Sequence, residues 1–167
     1  MAGEEISVPK LPVGFRFLPT DEELVTYYLI NRVYYRPLPA KPIQDIHASE
    51  FYGSPPHHLA ISSSREREYF FFIQGDDQGE EIRMVEDGRG FWKLSGDETP
   101  IYDSDGNIFA FKIYWTYFSG SLQKPKKTHW RMEEYRLPLH CYMDHDFKGE
   151  KLVLGRIKRS KDYISWL

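Results

Sequence analysis

A single cysteine, Cys141, stands in 167 residues, which excludes an internal disulfide and suits a reducing compartment. No run of apolar residues approaches the roughly 18 needed to cross a bilayer. The opening MAGEEISVPK is acidic and lacks a signal peptide's apolar stretch. The expectation is an intracellular, soluble chain with no membrane partner. Internal repeats and low-complexity segments are absent. Positive charge is also in short supply: the net charge is −3. That total argues weakly against nucleic acid, although the distribution of cations matters more than their sum.

Enzyme and metal signatures fail one by one. GRGFWK starts like a dinucleotide fingerprint, but Lys93 stands where the third glycine should be. DSDG resembles a fragment of a calcium loop without its other ligands or its closing glutamate, and reads as a turn. His57-His58, and His140, Cys141, Asp144 and His145, lack structural-zinc spacing. No serine occupies a nucleophile elbow. We therefore expect no catalytic residue, no metal and no cofactor.

What is present suits one packed domain. Hydrophobic residues make up 41% and charged residues 28%, which argues against disorder, and aromatic residues at 16% supply bulky core candidates. Thr20 followed by Glu23 is a capping-box pair, and Asp21, Glu22 and Glu23 complement the positive end of a helix. Leu24, Tyr28 and Leu29 recur at helical spacing, and the helix should end before Pro37. Residues 36–64 carry five prolines and a serine run and read as loop, with a short strand or turn at IQDI. REYFFFI, FWKLSG, IFAFKIYWTYF, THWRMEEYRL and KLVLGRI then read as strands, the DSDGN between the second and third being a hairpin turn. A helix followed by strands joined by turns implies an α+β fold around an antiparallel sheet.

Cations are locally concentrated. Between Ser121 and Arg131 the charged residues are Lys124, Lys126, Lys127 and Arg131, with no acid. Such a loop can bind phosphates through counterion release, or can simply be solvated.

These pieces together resemble the NAC domain of plant transcription factors, in five motifs that occur in order. LPVGFRFLPTDEELVTYYL is similar to the family's opening L-P-P-G-F-R-F-x-P-T-D-E-E-L. EYFFF resembles W-Y-F-F, and GFWKLSG stands where the family has G-Y-W-K-A-T-G. KPKKTHWRMEEYRL is similar to P-K-G-x-K-T-x-W-x-M-x-E-Y-R-L, and LVLGRI to W-V-L-C-R-I. The resemblance implies a NAC domain over residues 11–159 between an N-terminal tail (1–10) and a C-terminal tail (160–167), with a twisted antiparallel sheet flanked by a few helices. It further implies a dimer built through the N-terminal segment, with Arg16 and Glu23 exchanging a salt bridge and Leu11, Phe15 and Phe17 supplying apolar contact. The family inserts an edge strand into the DNA major groove. Alternation along that strand puts Lys93 and Ser95 on one face, and Trp92 and Leu94 on the other. Lys124 and Lys127 match family lysines that approach the DNA backbone. Double-stranded DNA, a second copy or another NAC protein, and a nuclear location follow as expectations.

The chain also departs from the family pattern. After Gly96 the family has an acid followed by a basic residue; here Asp97 and Glu98 lead to Thr99. The arginine of the family's N-R-A-T aligns with Val85, so the nearest cation that could serve DNA is Arg83. A further basic position is Ser121. From Gln74 to Gly90 six acids face two arginines. Each lost phosphate contact lowers affinity and flattens its salt dependence. Two readings follow: a dimeric regulator that binds DNA more weakly than is typical of the family, or a binding-impaired subunit that pairs with full-length relatives.

Overall fold

The computed structural model describes residues 19–39, 43–60, 68–75, 80–143 and 151–159. The first helix, α1, comprises an α turn at Asp21–Glu23, a π-helical stretch at Leu24–Leu29 and a closing α turn at Ile30–Val33. Its start is the capping box read from the sequence. The Glu23 amide donates to the Thr20 hydroxyl (3.1 Å), and the Thr20 amide donates to the Glu23 carboxylate (2.9 Å). The helix stops well before Pro37, at a turn in which Tyr35 adopts a positive φ of 58°.

Residues expected to be loop hold more structure than their prolines suggest. β1 (Gln44–His47) leads directly into α2 (Ala48–Tyr52), and α3 (Pro56–Leu59) follows. The His47 ring accepts from the Ser49 amide and so caps α2. Pro56 sits in the first turn of α3, where a missing N–H costs nothing.

Seven further strands complete the sheet: β2 (Glu68–Gly75), β3 (Ile82–Met84), β4 (Gly90–Leu94), β5 (Thr99–Tyr102), β6 (Ile108–Gly120), β7 (Pro125–Arg136) and β8 (Lys151–Arg159). A short helix, α4 (Leu139–Met143), lies between β7 and β8. The strand order is β1-β2-β8-β7-β6-β4-β3, with β5 pairing to β6 beside β4. All described pairs are antiparallel except β1–β2, which is parallel. The α+β class and the mainly antiparallel sheet expected from the sequence are therefore observed.

Each face of the sheet buries its own apolar cluster. On the front face, Leu24, Val25, Tyr28, Leu29 and Val33 of α1 pack on Phe70, Phe72, Ala110, Tyr135 and Leu154. On the back face, Ala48, Phe51 and Tyr52 of α2 pack on Phe71, Ile73, Trp92, Trp115, Met132 and Ile157. Period-two alternation explains the division: on every long strand the residues of one cluster are odd-numbered and those of the other even-numbered.

The amino end of α1 is fixed by charge as well as by packing. The Lys112 ammonium lies 2.8 Å from one Asp21 carboxylate oxygen, and the Tyr135 hydroxyl donates to the other at 2.6 Å. Arg156 approaches the same carboxylate at 3.8 Å and pairs with Glu68 at 2.8 Å. Burial alone would raise the Asp21 carboxyl. The hydrogen bonds from Lys112 and Tyr135, with the attraction of Lys112 and Arg156, hold it below its ordinary value. A carboxyl depressed in the folded state stabilises above its unfolded value near 3.9 and loses that contribution as pH falls through the folded value. Replacing Asp21 with Asn is expected to cost about 1 kcal/mol at pH 7, a discounted figure because the side chain remains partly open to solvent. In urea titrations the gap between wild type and variant should be full above the ordinary carboxylate value and narrow as pH falls through the lowered folded value. A gap that stays constant as the pH is lowered through the acid range would show that the carboxylate charge contributes nothing there.

Candidate nucleic-acid interface

Trp92 decides how β4 sits. Its side chain is fully buried, stacked on Phe51 with ring centroids 6.1 Å apart and edge-on to Tyr117 at 5.2 Å. Its indole N–H reaches the Ser54 carbonyl at 3.4 Å. Leu94 packs against the same back-face cluster. Alternation then turns Lys93 to the front, where it is exposed. Gly90, at the start of the strand, allows this packing: a Cβ there would lie 2.1 Å from the Tyr117 hydroxyl. At the far end Gly96 takes a positive φ of 77° to leave the strand.

Registry extends the Lys93 position into two rows across the front face. One row runs Ile82, Lys93, Thr116, Arg131 and Lys158; the other runs Met84, Phe91, Phe118 and Lys127. Directly paired residues of an antiparallel sheet project to the same side. Lys93, Lys127 and Arg131 are therefore three exposed cations on one surface, at the end of the sheet that α1 leaves uncovered. Ser95 joins them, its hydroxyl 2.9 Å from that of Thr116. Lys124 is exposed at the β6–β7 turn, its amide donating to the Ser121 hydroxyl. Lys126, paired with Ser119, alternates to the back. The turn and the front rows thus bring together Lys93, Ser95, Lys124 and Lys127, and add Arg131.

Two expectations need correction. The strand carrying Lys93 is not the edge of the sheet, because β3 pairs outside it. With only three residues, Ile82–Met84 is too short a pattern to read as a strand. Arg83 does not share the Lys93 surface either. It pairs with Trp92 and so turns to the back, its guanidinium 4.1 Å from the centroid of the Tyr52 ring and 5.4 Å from that of Trp115. Val85, where the family arginine was expected, is buried in the back-face cluster.

Beside Arg83 lies a buried charge that the sequence did not announce. Glu134 is 1% exposed, and its carboxylate accepts from the Tyr52 hydroxyl (2.5 Å), the Trp115 indole N–H (3.0 Å) and the Arg136 guanidinium (2.5 Å). Such a carboxylate is tolerated only because its lone pairs are satisfied. Burial and the adjacent Glu134 push the Tyr52 phenol well above its usual range.

The added acids are not all on the Lys93 side. Burial, with the nearby charge of Asp87, raises the Tyr117 phenol, and Tyr117 belongs to the back-face cluster. Asp87 also accepts from the Arg89 amide at 2.8 Å, closing the β3–β4 turn. Glu80, Glu81, Asp97 and Glu98 are exposed around the ends of β3 and β4. Asp103 accepts from the amides of Asp105 and Asn107, both at 2.9 Å, which makes DSDGN a hairpin turn. Among the described residues no group of three or more His, Cys, Asp or Glu is placed to hold a metal ion. Leu11, Phe15, Arg16 and Phe17 lie outside the described residues. Glu23 is exposed, and one of its oxygens is engaged in the capping box.

The chain matches the family model described as No apical meristem (NAM) protein over residues 12–137. It belongs to the NAM/NAC domain family of plant transcription factors. It is 38% identical over 138 residues to Transcription factor JUNGBRUNNEN 1 of Arabidopsis thaliana, covering 81% of this chain and 48% of that protein. NAC transcription factor 56 of the same plant is 38% identical over 139 residues, covering 77% of this chain and 36% of the relative. NAC domain-containing protein 58 of Oryza sativa subsp. japonica is 37% identical over 134 residues, with 76% and 33% covered. The chain thus spans about a third to a half of the length of these relatives. The NAC family is non-enzymatic, DNA binding is implied by membership, and a transcription-factor family is consistent with a nuclear location. β8 lies beyond the matched residues yet sits between β2 and β7 in the sheet.

Proposed function

We propose that this NAC-domain chain is a dimeric transcription regulator that sets the front of its β3–β4 pair into the DNA major groove, with Lys93 as the groove-facing cation. The observation that carries this reading is the surface shared by Lys93, Lys127 and Arg131, fixed outward by the burial of Trp92 on the other side. Lys93 reaches a base edge or a neighbouring phosphate, and Ser95 stands beside it. Lys124 and Lys127 take phosphates and set the register. We leave Arg83 out of the proposed contact, since its guanidinium lies over the Tyr52 ring. With a buried Val85 and an uncharged Thr99 at two positions where the family is basic, binding is weaker than is typical of the family.

Salt-titrated binding to a duplex with a CGT-type core, the site class implied by the family, tests the contact. Lys93→Ala should cost about 1–3 kcal/mol and relax base preference. Lys127→Ala should weaken all duplexes alike and reduce the salt slope by about one. Equal binding of core and scrambled duplexes by wild type at low salt would refute sequence-specific recognition.

The dimer part of the reading rests on Arg16 and Glu23, with Leu11, Phe15 and Phe17 supplying the apolar contact. An exposed ion pair stabilises little by itself, so the apolar flanks dominate. A second reading, a subunit that pairs with full-length relatives and lowers their DNA binding, is favoured by the exposed acids around β3 and β4. Arg16→Ala should move the mass measured by light scattering in dilute solution toward monomer. An unchanged dimer would show that the pair does not support association.

A further inference from the structure

We propose that Ile82 and Met84 give the Lys93 surface a preference for thymine, by apolar contact with the C5-methyl group in the major groove. This rests on the DNA-binding reading above and names what the outer strand recognises. Ile82 is 37% exposed and Met84 45%, large apolar side chains two residues apart on the outermost strand of the sheet. Ile82 pairs directly with Lys93, and Met84 with Phe91, so both project to the front beside the cation. Directly opposed side chains have Cβ atoms about 4.5–5.5 Å apart. Lys93 and Ile82 therefore address the same short stretch of groove.

Three observations point to a base methyl. First, an outer strand normally carries charge to discourage pairing, whereas this one presents two apolar side chains. Second, the cations Lys93, Lys127 and Arg131 share their surface. A polyanion would neutralise them. Third, the outer strand offers a base no guanidinium, since Arg83 faces the back and Val85 is buried. The major groove is about 12 Å wide and admits a two-stranded ribbon. There thymine alone among the four bases shows a methyl group. Ile82 has no hydrogen-bonding side-chain atom and Met84 only a weak acceptor, so discrimination through them is apolar.

The test compares the full chain on two duplexes at low salt: one with a CGT-type core, and the same duplex with every thymine replaced by deoxyuridine, which removes only the methyls. Wild type should prefer the thymine duplex by roughly fourfold for each methyl buried, the scale of one CH2 group. The double variant Ile82→Ser, Met84→Ser should lower affinity for the thymine duplex to that for the deoxyuridine duplex. Equal binding of both duplexes by wild type overturns the proposal, as does a double variant that keeps the preference. A double variant that shifts the mass toward monomer instead assigns the strand to self-association, and also overturns it. Failure of wild type to bind either duplex is a different result, because it removes the DNA-binding reading itself.

Discussion

The burial of Trp92 is the constraint from which the Lys93 surface follows. A tryptophan held between Phe51 and Tyr117 cannot rotate to solvent without opening the back-face cluster, a loss on the order of 3–5 kcal/mol. Because side chains alternate along a strand, fixing Trp92 inward also fixes Lys93 outward. The same step turns Arg83 away from Lys93's side, since it pairs with Trp92 across β3 and β4. Slippage by one residue would exchange the two faces. The direction of the Lys93 side chain is thus a consequence of packing.

The front face then divides between two tasks along its length. At one end α1 covers an apolar cluster, and its Asp21 is held by Lys112, Tyr135 and Arg156. At the other end, among the described residues, the sheet presents exposed cations. The acids that make the chain negative overall are partly absorbed. Glu134 is buried and fully hydrogen-bonded, and Glu133 pairs with Lys112 and Lys158. Asp87 lies close enough to the back-face Tyr117 to shift its phenol. Net charge is for this reason a poor guide to the potential at Lys93.

Local signals in the sequence were legible, and long-range ones were not. The Thr20–Glu23 capping box, the end of α1 before Pro37 and the strongly apolar strands all depend on residues a few positions apart. So does the Trp92/Lys93 alternation. β3 was missed because three residues do not establish a period. α2 and α3 were missed because a proline-rich stretch reads as loop unless a capping histidine and a first-turn proline are recognised. The direction of Arg83 depends on its pairing with Trp92 on the next strand, and no local pattern reports it. Which of Glu133 and Glu134 would be buried was equally hidden, because Tyr52 and Trp115 reach Glu134, and Lys112 and Lys158 reach Glu133, only after folding. Asp21 showed its role at the helix end but not its ion pair with Lys112.

Lysine-reactive footprinting with and without the CGT-core duplex, read by mass spectrometry, tests the central claim most directly. If the front surface meets DNA, Lys93 and Lys127 should lose reactivity on binding, while Lys151, which alternates to the back on β8, should keep its own. Protection of Lys151 with Lys93 still reactive would contradict the account.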